Sequence, residues 1–426
     1  MRRRIAPVAL AAAITVLLSA CGSGGLPGSP AESSNVTTIT WWDTSDTVNE
    51  APTFRALVAD FERTNLEIKV DHVSVPFTEA RARFQAAAGK DAPDVLRAAV
   101  DWTAGLAKAG LLAPLDGTEA ATDAEKLQPQ LIEQARYDGK LYGMPQTTDI
   151  LALVYNKGLF AKAGISKPPA TWNELKADAA QIKEETGADG FAFHPQGYYA
   201  MPFLYGEDVD LVDFANKKIT VSSPAAVKGI DALKSLVTAP GVARLDTTDD
   251  GYTNVMQAFK NGKVASIIQG PWENANIFRG AAFADNGNLG IATVPGGSSG
   301  KAGAPLGGHN LVASARSDAA HRAAALKFIA FMTSSNAQTY TAVKNSTLPT
   351  RTDAFTSLVS VNLGILGYQK VLDSGRPRPA LAEYSALYDP FGADLLKILS
   401  GQESTRAGLD HVGAEAKRLL PDFADR

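Results

Sequence analysis

Apolar residues follow two rhythms along this chain. Phe54, Leu57, Val58 and Phe61 recur at i, i+3, i+4 and i+7, the spacing of one buried helix face. Residues 68–73 alternate instead, as a half-buried strand does. Residues 37–42 are β-branched and aromatic and predict the first strand, which Asp43-Thr44-Ser45-Asp46 ends. Phe84 among its alanines predicts a helix, and Asp94-Val95-Leu96 a short buried strand ending near Asp101-Trp102. Asp138-Gly139 predicts a hairpin turn. Residues 150–155 and 191–194 read as strands, and Phe160 begins a short helix. Thr171, with Glu174 three residues on, predicts a capped helix start. Residues 218–221 predict an edge strand; the segments leading to Gly270-Pro271-Trp272 and to Pro295 predict two more strands. Residues 323–332 and a tail carrying Leu395, Leu396, Ile398 and Leu399 read as helices. Repeated strand–helix–strand units predict an α/β fold with a mostly parallel sheet. Ligands of such sheets sit beyond the strand C-termini. Asp43, Asp46, Asp101 and Trp102 fall at such ends.

Before the first strand the pattern changes. Arg2, Arg3 and Arg4 precede an uncharged, mostly apolar run over residues 5–20. A basic start, a short apolar stretch and small residues before a cut form a secretory signal. The run is shorter than the roughly 20 apolar residues of a membrane span. Residues 22–34 are rich in Gly, Ser and Pro, which predicts a flexible tether.

Composition narrows the function classes. The 426 residues include 45% hydrophobic and 20% charged positions, ordinary for a globular protein. Without signal and tether roughly 390 residues remain, enough for two or three domains. Net charge is −4; losing the three leader arginines leaves 38 basic against 45 acidic residues, or −7. That disfavours nucleic acid as a partner. Five histidines show no metal-ligand spacing, and neither metal nor cofactor is expected. Cys21 is the single cysteine, so no internal disulfide can form. No Gly-x-x-x-x-Gly-Lys-Ser/Thr loop is present, so the chain is not expected to hydrolyse ATP.

Leu18-Ser19-Ala20-Cys21, Ile39-Thr40-Trp41-Trp42, Asp91-Ala92-Pro93-Asp94-Val95, the run from Gly139 to Pro145 and Leu153-Val154-Tyr155-Asn156-Lys157 form an ordered set. Thr171-Trp172-Asn173-Glu174-Leu175, Phe259 with the run from Asn261 to Ala265, and Gln269-Gly270-Pro271-Trp272 continue it. In this order the motifs resemble the extracellular solute-binding lipoproteins of sugar ABC importers. The tract from Gly307 through Leu348-Pro349-Thr350-Arg351 to Pro379 is similar to actinobacterial maltose/maltodextrin-binding proteins.

The resemblance implies a two-lobed, type II periplasmic-binding-protein fold with a ligand cleft between lobes joined by hinge crossings. It implies a signal over residues 1–20, and a lipidated Cys21 with a tether over 21–35. The N-terminal lobe would hold residues 36–148 and 304–352, and the C-terminal lobe 149–303 and 353–426. The first crossing is expected near residues 147–149. The implied partners are a maltose- or maltodextrin-type oligosaccharide, membrane permease subunits, and the outer face of the cell membrane through the lipid. A monomer is expected.

A sugar offers hydroxyls, which charged carboxylates hold well, and flat C–H faces, which aromatic rings cover. By the resemblance Asp101 and Asp149 are cleft acids, and Trp272 is a stacking ring of the second lobe. Tyr198 or Tyr199 supplies a cleft tyrosine, and Tyr388 stands where enteric relatives carry a tryptophan. Trp102 stands where the family often has arginine. Arg378, Asp43, Asp46 and His309 are weaker candidates, and Arg378 reads equally well as a surface cation. A rival reading is a secreted glycoside hydrolase, which also pairs carboxylates with aromatics. Another is a binding protein for trehalose or cyclodextrin.

Overall fold

The computed structural model describes residues 36–88 and 91–425. The expected signal, Cys21 and the tether lie outside them. No helix among the described residues is long and apolar enough to cross a membrane.

The first sheet has seven strands. Leu348–Pro349, Gly143–Ile150, Ala304–Ala313, Val95–Ala99, Thr37–Asp43 and Ile68–Ser74 lie side by side in that order, and Gly375–Pro377 pairs onto Ala304–Ala313. Thr37–Asp43 runs parallel to both Ile68–Ser74 and Val95–Ala99. Ala304–Ala313 is antiparallel to Val95–Ala99 and to Gly143–Ile150. The second sheet orders Ala243–Leu245, Phe191–Phe193, Ser266–Gln269, Ala152–Asn156 and Leu289–Ala292. Its first two pairings are parallel and its last two antiparallel. Both sheets are therefore mixed, which corrects the mostly parallel expectation. Strands entering from the other lobe need no crossover helix, so they can run backwards.

Local chemistry explains the elements. Helix Ala51–Thr64 buries Phe54, Leu57, Val58 and Phe61, the four residues of its apolar stripe. Asp138 and Gly139 take φ of 47° and 74°, turning the chain between Arg136–Tyr137 and Lys140–Leu141. The Thr171 side chain accepts from Glu174 N, and Glu174 reaches back to accept from Ala170 N at 2.7 Å. Helix Ala319–Met332 starts four residues before the expected position, because Asp318 caps it by accepting from His321 N. Lys218–Ile219 is not an edge strand. Val212–Asp213 pairs with one side of it and Ala424–Asp425 with the other.

Residues 150–155, read as one strand, serve two sheets. Thr147, Thr148 and Asp149 are still paired with His309, Gly308 and Gly307 in the first sheet, and the second sheet begins at Ala152. Side chains from the two faces of the first sheet form separate cores, one around Trp41, Phe54, Phe61 and Phe328, the other around Trp42, Phe84 and Trp102. A larger core surrounds the second sheet, from Phe191 and Phe203 to Phe391 and Leu395.

Candidate functional site

Strand ends and helix starts from several parts of the chain converge at one site. Asp101 and Trp102 occupy a single turn, Val100–Trp102, directly after the Val95–Ala99 strand. Asp149 lies near the end of Gly143–Ile150. Tyr198 and Tyr199 open helix Gly197–Tyr205, and Tyr388 opens helix Tyr388–Leu399. Trp272 sits in the turn Pro271–Glu273, just beyond the strand Ser266–Gln269. Arg378 follows the short strand Gly375–Pro377.

Arg378 is the hub of these residues and is no surface cation. Its side chain is 7% exposed, and its Nη1 donates to Asp101 Oδ1 at 2.6 Å. The guanidinium also lies 5.6 Å from the centre of the Tyr198 ring. Tyr198 donates to Asp149 Oδ1 at 3.4 Å and meets Tyr388 edge to face. Burial, the largest single influence, would lower the pKa of Arg378, but Asp101, Tyr388, Tyr198 and Asp149 together outweigh it and raise it. For Asp149 burial wins. It pushes the carboxyl up to about 6 against the pull of Arg378, Arg97 and the Tyr198 hydroxyl.

A backbone without side chains lets these groups meet. A Cβ on Gly307 would stand 2.1 Å from Asp149 Oδ1 and 2.8 Å from the Tyr198 hydroxyl. Gly307 is thus part of the site by having no side chain. Gly270 serves Trp272 in the same way: a Cβ there would lie 1.9 Å from ring atom Cζ3, so the indole lies against the Gly270 backbone.

Trp272 belongs to a second, adjoining network that sequence reasoning missed. Its Nε1 donates to the Tyr252 hydroxyl at 3.1 Å, and Tyr252 donates to Glu273 Oε1 at 2.7 Å. Tyr199 donates to Gln269 Oε1 at 3.2 Å, and Gln269 Nε2 donates to Tyr252 at 3.3 Å. Burial raises the Glu273 carboxyl above its ordinary range, against hydrogen bonds from Asn276 and Tyr252. The Tyr198 and Tyr199 rings, 5.8 Å apart, join the two networks. Glu273 adjoins Trp272 in the chain, which was a usable signal; Tyr252 carries no sequence mark of its role.

The weaker candidates divide. His309 is close to the hub: burial first, then Arg97 and Arg378, hold its imidazole well below its usual range and therefore neutral. Its Nε2 is buried and has no protein partner. Asp43 is committed to its own lobe, bound by Ser45 at 2.7 Å and by His72 at 2.8 Å. Burial works against its ionisation, yet the His72 hydrogen bond, Arg97 and Ser45 hold its pKa low. Asp46 accepts from the backbone of Val48 and Asn49 and shapes a turn. Sequence reasoning also missed Arg97, 1% exposed, which donates to Gln146 and Glu50 and lies over the Phe54 ring. Burial pushes Glu50 up to about 7 despite Arg97.

Polar ties cross the rim of this region. Arg81 donates to Ser385 at 2.6 Å and to Asp389 at 3.3 Å, and Lys108 to Glu383 at 2.5 Å. Arg279 donates to Asn49. Acids, a guanidinium and tyrosine rings gathered at one site can hold a polyhydroxylated ligand by hydrogen bonds and ring contacts.

Residues 56–361 match the family of bacterial extracellular solute-binding proteins. The chain belongs to that family. A Brucella abortus protein named as a binding protein is 32% identical over 269 residues, which cover 59% of this chain and 62% of that one. The chain thus spans about three fifths of that relative's length. The maltooligosaccharide ABC transporter solute-binding lipoprotein of Streptococcus pneumoniae is 27% identical, over 77% of this chain and 76% of its own. Among solved structures, the GacH receptor of Streptomyces glaucescens, studied unliganded and in complex with acarbose, is 41% identical. It superposes with a TM-score of 0.87 over 91% of this chain and 99% of its own. Maltose-bound MalE3 of T. maritima, 24% identical with a TM-score of 0.81 over 90% of this chain and all of its own, shares the fold. That fold is the two-lobed one of sugar-binding proteins. These relatives are binding proteins and not enzymes, which removes the hydrolase reading.

Proposed function

We propose that this protein is the extracytoplasmic substrate-binding subunit of an ABC importer for maltose- or maltodextrin-type α-glucosides. The supporting observation is the Asp101–Arg378 pair, set among Asp149, Tyr198 and Tyr388. The names of the Streptococcus and Streptomyces relatives support the choice of ligand. Sugar hydroxyls bond to the acids and the guanidinium, and C–H faces lie on Trp272 and the tyrosines. Hinge closure then traps the ligand, and the closed monomer delivers it to permease subunits in the membrane. Asp101, Asp149, Arg378, Tyr198, Tyr388 and Trp272 are the proposed sugar contacts.

Calorimetry with maltose, maltotriose, longer maltodextrins, trehalose and cellobiose tests this directly. Binding confined to trehalose or cellobiose would replace the α-glucan reading by another oligosaccharide. Trp272→Ala uncovers one sugar face and should cost roughly 1–3 kcal/mol, about one to two decades in affinity. Wild-type affinity in that variant would show that the ring only packs against Gly270 and Tyr252.

The anchor belongs to the same proposal. Leu18-Ser19-Ala20-Cys21 followed by a Gly/Ser tether supports cleavage before Cys21 and lipidation of its sulfur. In a lipoprotein-processing host, Cys21→Ser should abolish labelling by a fatty-acid probe and leave uncut or soluble protein. Labelling equal to wild type would refute the anchor.

A further inference from the structure

Phe77 is a large apolar side chain that the fold leaves 47% exposed. It is the first residue of helix Phe77–Ala86, which packs into its lobe through Ala80 and Phe84. The core therefore does not require the Phe77 ring. The ring instead lies on Trp102, with centres 4.9 Å apart and planes at 34°, and meets His309 edge-on at 6.0 Å. Trp102 is 6% exposed and gives the ring a rigid back. Its chain neighbour is Asp101, which holds Arg378. The turn Val100–Trp102 thus carries both Asp101, which holds Arg378, and Trp102, which backs the exposed Phe77 ring.

Orientation follows from the same helix. Arg81 is four residues on, on the same helix side as Phe77, and it donates to Ser385 and Asp389 beside Tyr388 in the other lobe. Phe77 therefore stands on the side of its helix that faces the opposite lobe, at the rim of the cleft. The neighbouring His309 Nε2 is buried, uncharged and unpartnered, so one hydrogen-bonding atom stands ready beside the rings.

We propose that Phe77, backed by Trp102 and flanked by His309, forms an outer subsite for one additional sugar ring at the end of an oligosaccharide. This rests on the proposed function and adds a basis for selecting chain length. A pyranose ring has an apolar C–H face that covers an exposed aromatic ring, while inner rings of the same ligand lie among Arg378, Tyr198 and Tyr388. A ligand too short to leave the inner site does not reach Phe77.

The test is calorimetry of wild type, Phe77→Ala and Phe77→Tyr with maltose, maltotriose and maltotetraose, with melting curves alongside. Phe77→Ala should melt like wild type, because the ring is half exposed and its helix is anchored elsewhere. It should lower affinity for maltotetraose roughly tenfold, the value of covering part of one ring, and leave maltose unchanged. Phe77→Tyr keeps the ring face and should restore the preference for the longer sugar. An unchanged maltotetraose-to-maltose ratio in Phe77→Ala, with the wild type binding both, overturns the outer subsite and leaves the proposed function standing. Failure of the wild type to bind any α-glucan overturns both.

Discussion

Asp101→Ala is expected to destabilise the protein by about 3–5 kcal/mol, the cost of leaving one member of a buried ion pair alone. The Arg378 guanidinium cannot shed its proton. With Asp101 gone, it stays charged, 7% exposed, without the carboxylate 2.6 Å away. The pair gives Asp101 a structural part to play beside its candidate role in ligand binding. Arg378→Met in the same chain removes the stranded charge at similar volume, so the double variant should recover most of the loss. Sugar binding should stay lost in both variants, because the hydroxyls have lost a charged acceptor. Urea denaturation and calorimetry together check this. A single variant within about 1 kcal/mol of wild type, or a double variant no more stable than the single, would mean that the pair does not bear on folding.

Asp149→Asn should change how stability depends on pH. Burial pushes the Asp149 carboxyl from 3.8 to about 6 in the folded protein. Below pH 3.8 it is protonated in both the folded and the unfolded chain, and it costs nothing. As pH rises toward 6 the unfolded chain loses this proton and the folded protein keeps it, so stability falls. A displacement of about two pH units corresponds to roughly 3 kcal/mol. Glu50, pushed up to about 7, adds a fall of the same sign, and this part should persist in the variant. The stability of Asp149→Asn relative to wild type should therefore grow by roughly 3 kcal/mol between pH 4 and pH 7. Denaturant midpoints measured across that range check it, and a pH-independent difference between the two proteins would refute it. Sugar affinity in the wild type should move the other way, rising through pH 6 as the carboxylate becomes the charged acceptor that hydroxyls prefer.

Much of the framework was legible because its causes are local. The stripe of Phe54, Leu57, Val58 and Phe61 needs only a nearby sheet to bury it. Asp138-Gly139 turns the chain by its own backbone preference, and Thr171 with Glu174 starts a helix within four residues. Strand Ala304–Ala313 was not legible. Its sequence holds a proline, two adjacent glycines and a histidine, which resemble a loop, and yet it pairs on both sides in the first sheet. Gly307 answers to Asp149 and Tyr198, and Gly308 to the backbone of Thr147 and Thr148, all from other parts of the chain. Residues 218–221 looked like an edge because Ala424–Asp425, which closes that side, lies at the far end of the sequence.

By itself, the sequence determined the α/β class, the strand and helix starts, the family likeness and most residue types of the site. Those properties follow from periodicity, turn chemistry and short motifs, each contained within a few neighbouring residues. Only the tertiary structure decided which of the site's groups are paired and which are pushed toward neutrality. Arg378 finds Asp101 across 277 positions of chain. Whether a carboxylate there is free, paired or pushed toward neutrality depends on burial and on charges brought together by the fold.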